Sequence, residues 1–139
     1  MRIRDGAEQG RPPTLRMKQL EIEIVRWFVT RLGDDDPIRE QLRHAEVSAR
    51  EFTSGGGVFL ALQTQGRGPS ESSGKPTYID GPEIQTPELA SGALVTLHLL
   101  DDIPSSFEIW SYANDYPIDR HPRDFVLVEP RKANLIDLR

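Results

Sequence analysis

Apolar positions along this chain are spaced first as helix, then as strand. Met17, Leu20, Ile24, Phe28 and Leu32 recur at three- and four-residue intervals, Val25 and Trp27 widen the stripe, and Gly33 follows. That spacing predicts an amphipathic helix of about four turns starting near Thr14 and stopped by Gly33. Asp34-Asp35-Asp36-Pro37 then reads as a new helix start, an aspartate N-cap ahead of proline at the first helical position. Ile38, Leu42 and Ala45 give this second helix a narrow apolar face.

Beyond Ala45 the period changes. Val47 to Phe52 alternates loosely, Gly55-Gly56-Gly57 interrupts, and Val58 to Thr64 is apolar on both faces, as a central strand is. Gln65 to Pro76 is rich in Gly, Ser and Pro and predicts a mobile loop. Thr77-Tyr78-Ile79 predicts a short strand ended by Asp80-Gly81-Pro82, and Glu83 to Thr86 another, held to a sheet edge by Pro82 and Pro87. Ala93 to Leu100 and Phe107 to Tyr112 form an antiparallel hairpin turned by Asp101 to Ser106. In its second strand Phe107, Ile109 and Ser111 share one face, and Glu108, Trp110 and Tyr112 the other. Phe125 to Val128 is a last strand, stopped before Pro130.

Two helices followed by a run of strands is the order of an α+β fold, with the two N-terminal helices packed on one face of a mainly antiparallel sheet of about five to six strands. Residues 1–13 are polar and without period, which predicts a flexible N-terminal arm; 14–139 then form a single α+β domain.

Composition narrows the function classes. The absence of cysteine excludes disulfides, thiolate nucleophiles and cysteine-ligated metal sites. No apolar run reaches the ~18 residues of a membrane span, and no signal-peptide pattern opens the chain, so no membrane association and a soluble, cytoplasmic location are expected. A net charge of −5 and a pI near 5.2 argue against nucleic acid as a partner. The charge is uneven: residues 1–33 carry seven basic side chains against four acidic ones.

The candidate chemistry is thin. Gly68 to Thr77 fails as a phosphate loop, because five residues separate Gly68 from Gly74 where four are needed, and Pro76 follows Lys75 where a hydroxyl must reach magnesium. The three aspartates before Pro37 lack the alternate spacing of a calcium loop. His44, His98 and His121 show no metal-ligand spacing, so neither metal nor cofactor is expected. Glu108 and His98 remain the only catalytic candidates: Glu108 as a base if its neighbours raise its pKa, His98 equally readable as a packed strand residue with one hydrogen bond. Trp110, Tyr112 and Tyr116 form a candidate binding patch, aromatics being frequent anchors of binding surfaces; the other reading of Trp110 and Tyr112 is that they cover the sheet under the helices with wet polar tips. Gly55, Gly56 and Gly57 mark either a strand-to-strand corner or bare backbone offered to a ligand.

Arg50 to Phe59, Gly92 to Asp102 and Glu108 to Pro117 together resemble a small group of uncharacterised short bacterial proteins. Those proteins carry an Arg-Glu-x-Thr-Gly-x-Gly-Phe strand entry, a glycine-led apolar strand and a Glu-x-x-Tyr segment; here Ser54 stands where that pattern has its first glycine. The resemblance implies a compact α+β domain and no activity. The expected function is a non-catalytic binding or protein-interaction domain with an unknown protein or small-molecule partner. The alternative is a small enzyme or ligand-binding protein with a pocket near the Gly55–Gly57 corner and Glu108.

Overall fold

A computed structural model of the protein describes residues 14–64 and 75–131. The arm at 1–13, nearly all of the loop expected at 65–76 and the last part of the domain, 132–139, lie outside the described residues. Helices α1 (Gln19–Arg31) and α2 (Pro37–Arg43) precede strands β1 (Ala45–Phe52), β2 (Gly57–Thr64), β3 (Pro76–Gln85), β4 (Ala93–Leu100), β5 (Ile103–Ser111) and β6 (Val126–Val128). The six strands form one sheet in the order β1-β2-β5-β4-β3-β6, every neighbouring pair antiparallel. The fold is α+β.

One face of the sheet is the core face. Leu60, Phe107 and Leu97 are register partners across β2, β5 and β4, and Val58, Ile109 and Val95 form the next row. With Leu20, Ile24, Phe28 and Leu42 from the helices they make one buried cluster. The Phe28 ring lies 5.5 Å from that of Phe107, which seats α1 on the middle of the sheet. Phe28, Leu60 and Leu97 are all buried in this one cluster, where the burial of each contributes roughly 2–3 kcal/mol.

Boundaries depart from the sequence expectations for identifiable reasons. Helix α1 begins at Gln19, five residues later than the apolar stripe suggests. The Lys18 backbone N–H donates to Glu21 Oε1 at 2.9 Å and fixes the start there, while Leu15 is drawn into a bridge with Val47 of β1. Leu32 already has extended backbone, so the helix ends before Gly33, which is not in the left-handed region. Helix α2 starts as expected, with Asp36 Oδ1 accepting from the Ile38 amide at 2.9 Å, but Ala45 belongs to β1 rather than to the helix. The β4–β5 turn is only Asp101-Asp102, both at positive φ (51° and 64°). Short polar aspartates tolerate that geometry, and β5 therefore starts at Ile103 instead of after Ser106.

The largest departure is β3. Asp80-Gly81-Pro82 does not end a strand; it is a bulge inside a single one, the register shifting between Asp80 and Glu83. Nor is the following segment an edge, since β6 pairs outside it. The cause is tertiary: a Cβ on Gly81 would come within 2.5 Å of the Phe28 ring, so the bulge brings bare backbone beneath α1. Gly81→Ala should therefore cost about 1–3 kcal/mol by urea unfolding, and most of that penalty should vanish in a Phe28→Ala background. Equal penalties in both backgrounds would show that the ring is not what the glycine accommodates.

Candidate functional site

Sequence reasoning puts Glu108, Trp110 and Tyr112 on one face of a strand without saying which, and the structure turns that face away from the helices. Glu51, Phe59, Glu108, Thr96 and Asp80 are register partners across five strands. A neighbouring row holds Trp110, with Tyr112 just beyond the strand end, and on the other side His98 pairs with Tyr78. Neither helix covers this face: Phe59, Tyr78 and Trp110 are 43%, 66% and 51% exposed. Trp110 and Tyr112 thus do not lie under the helices. Their rings meet edge to face at 5.3 Å in the open.

Glu108 and His98 are also joined, Glu108 Oε1 lying 3.1 Å from His98 Nε2, beside a hollow of about 280 Å³ that Phe59 and Ser106 also line. Gly55, Gly56 and Gly57 do not line that hollow. Their carbonyls serve the fold: the Gly55 carbonyl accepts from the Tyr116 amide at 2.9 Å and that of Gly56 from Ser111 at 2.8 Å, while the Gly55 amide is spent on the Thr53 carbonyl. Gly57 sits at φ +148° where any Cβ would collide with the Ile109 carbonyl oxygen. The corner grips the loop after β5.

Tyr112 is tied down by a buried carboxylate. Its hydroxyl donates to Glu83 Oε2 at 3.1 Å, and Arg131 reaches Glu83 Oε1 at 2.8 Å while stacking over the Tyr112 ring. Partial burial, then the Glu83 charge, pushes the phenol up to about 12.

Tyr116, the third aromatic candidate, turns the other way. It is buried, and its hydroxyl lies 2.7 Å from His121 Nδ1; His121 Nε2 in turn lies 2.8 Å from Glu21 Oε2. Glu21 is 1% exposed and also accepts from Arg50 Nε at 2.5 Å, Arg50 Nη2 at 2.8 Å and the Lys18 amide. Because a carboxylate only accepts, His121 donates to Glu21 from Nε2, while its Nδ1 stands within hydrogen-bond distance of the Tyr116 hydroxyl. A Tyr116–His121–Glu21–Arg50 relay therefore runs through the interior.

Sequence reasoning missed Glu21, Arg50 and His121. The available signal was Glu21 itself: it shares the helix face of Ile24 and Phe28, and a carboxylate on an apolar stripe needs buried partners. Beside the relay, a cleft of about 660 Å³ opens between the start of α1, β1 and residues 119–125. No group of three or more metal-ligating side chains is found among the described residues.

Burial opposes the Glu21 charge, but the hydrogen bonds from Arg50, His121 and the Lys18 amide outweigh it and lower its pKa from 4.5 to about 2. A carboxylate depressed on folding adds stability above its unfolded pKa, and that stability is lost as pH falls from about 4.5 towards 2. Glu21→Gln should cost roughly 3–5 kcal/mol at pH 7, since it strands Arg50 against a neutral partner. It should also flatten the loss of stability between pH 4.5 and 3. Urea midpoints of both proteins across that range measure this, and parallel curves would contradict it.

Comparison of the chain with protein-family models, with curated proteins and with solved structures finds no match in any of the three.

Proposed function

We propose that the protein is a non-catalytic interaction domain whose open sheet face receives a cationic segment of a partner protein. The observation that carries this reading is the register row Glu51–Phe59–Glu108–Thr96–Asp80, flanked by exposed Trp110, Tyr112 and Tyr78. Carboxylates interleaved with exposed aromatic rings suit arginine and lysine side chains, which pair with the first and stack on the second. Exposed large aromatics in one patch are also costly to leave in water unless something covers them. The acidic balance of the chain favours encounter with such a partner.

The arrangement at Glu108 supports binding over catalysis. His98 and Glu108 are each substantially exposed, and the hollow beside them is small. General acid–base chemistry relies on a carboxylate or imidazole retuned by burial in a dry site. The reading of a small enzyme or ligand carrier built around the glycine corner draws no support from Gly55–Gly57: the carbonyls of Gly55 and Gly56 hold the 111–116 loop and that of Gly57 accepts from Thr53.

A fluorescently labelled arginine-rich nonapeptide should bind with an affinity that falls steeply between 50 and 300 mM salt, while the glutamate-rich counterpart should not bind. Trp110→Ser, at an exposed position, should weaken binding at least about tenfold without altering the urea midpoint, as loss of an aromatic anchor does. Equal binding by the wild type and Trp110→Ser would overturn the assignment.

A further inference from the structure

The cleft next to the buried relay has the opposite character from the open sheet face. Its charged lining is cationic: Lys18, Arg50, Arg120 and Arg123 border it, against Asp119 alone among the carboxylates of the described residues. Two of these cations are already committed, Arg50 to Glu21 and Arg120 to Glu88 at 2.8 Å. The side chains of Lys18 and Arg123 form no ion pair among the described residues, although Glu88 accepts the Arg123 backbone amide at 2.7 Å. The rest of the wall is apolar, from Leu15, Leu20, Phe52, Pro122 and Phe125.

We propose that this cleft binds a small anionic amphiphile, its carboxylate or phosphate head between Lys18 and Arg123 and its hydrocarbon portion along Leu15, Phe52 and Phe125. A volume of about 660 Å³ lies within the range of small-molecule sites, and an apolar wall with a few convergent charges is their usual chemistry. Arg50 and His121, both hydrogen-bonded to Glu21, form a fixed wall that a ligand need not reorganise. Lys18 and Arg123, whose side chains form no ion pair among the described residues, meet the incoming charge. Asp119 excludes a second negative group on its side of the mouth. This site is independent of the sheet face and does not require that reading to hold.

Calorimetry and amide NMR with four probes test it: dodecanoate, dodecyl phosphate, inorganic phosphate and dodecyltrimethylammonium, each kept below its micelle concentration. At least one of the two anionic amphiphiles should saturate one site, with amide shifts centred on residues 18–20 and 119–125. Which of the two binds more tightly identifies the natural head group. Lys18→Ala/Arg123→Ala, at two exposed positions, should raise the dissociation constant at least tenfold, and Trp110→Ser should leave it unchanged. The proposal is overturned if the cationic amphiphile binds as tightly, if inorganic phosphate does so without a tail, or if neither anionic amphiphile saturates. Unchanged affinity in the double variant, or shifts centred on the sheet face, would overturn it equally.

Discussion

The Glu21 carboxylate is the point at which three parts of the chain are made to agree. An ionised group with 1% exposure costs several kcal/mol in lost hydration, and only a full set of donors offsets that. Its donors come from the start of α1, from β1 through Arg50, and from the loop after β5 through His121. Each of the three must be in register for the charge to be tolerated. Apolar burial of Ile24 and Phe28 presses α1 on the sheet without fixing its rotation or slide; the bidentate Arg50 pair fixes both.

The relay in turn depends on the glycine corner. His121 is oriented by Tyr116, and Tyr116 is placed by its amide bond to the Gly55 carbonyl and by stacking of its ring on Phe52. Ser111 and Asp115 lock the same loop, the Ser111 hydroxyl donating to Asp115 at 2.7 Å and Asp115 accepting from the Ala90 amide at 2.8 Å. The hairpin turn between β1 and β2 therefore acts at a distance. Its bare backbone admits the loop, the loop presents Tyr116, and Tyr116 helps orient the histidine facing Glu21. A side chain at Gly57 would disturb this chain at its first link.

How far the sequence carries this follows from which forces are local. The helix stripe, the Asp36 cap and the alternation of β4 and β5 are written in neighbouring residues, and the α+β class, the antiparallel sheet and the buried Phe28, Leu60 and Leu97 were legible from them. The same alternation put Glu108, Trp110 and Tyr112 on one face, and only the path of the helices decided that this face is open. Long-range causes were not legible. The bulge at Gly81 answers to Phe28, more than fifty residues earlier, and Glu21 finds His121 one hundred residues away. Tyr116 reads as an exposed aromatic beside Asp115, yet it is buried because the glycine corner turns its loop inward.

Net charge is a poor guide to a molecule whose charges are sorted by face. The open side of the sheet carries Glu51, Asp80 and Glu108 among aromatic rings. The cleft draws instead on Lys18 before α1, Arg50 in β1, and Arg120 and Arg123 after β5, which the fold brings to one place. A local field of this kind is focused by the low-dielectric walls around it and outweighs the distant acidic excess at the range where a ligand is captured. One small domain can thereby present surfaces of opposite preference, because six antiparallel strands insulate one from the other.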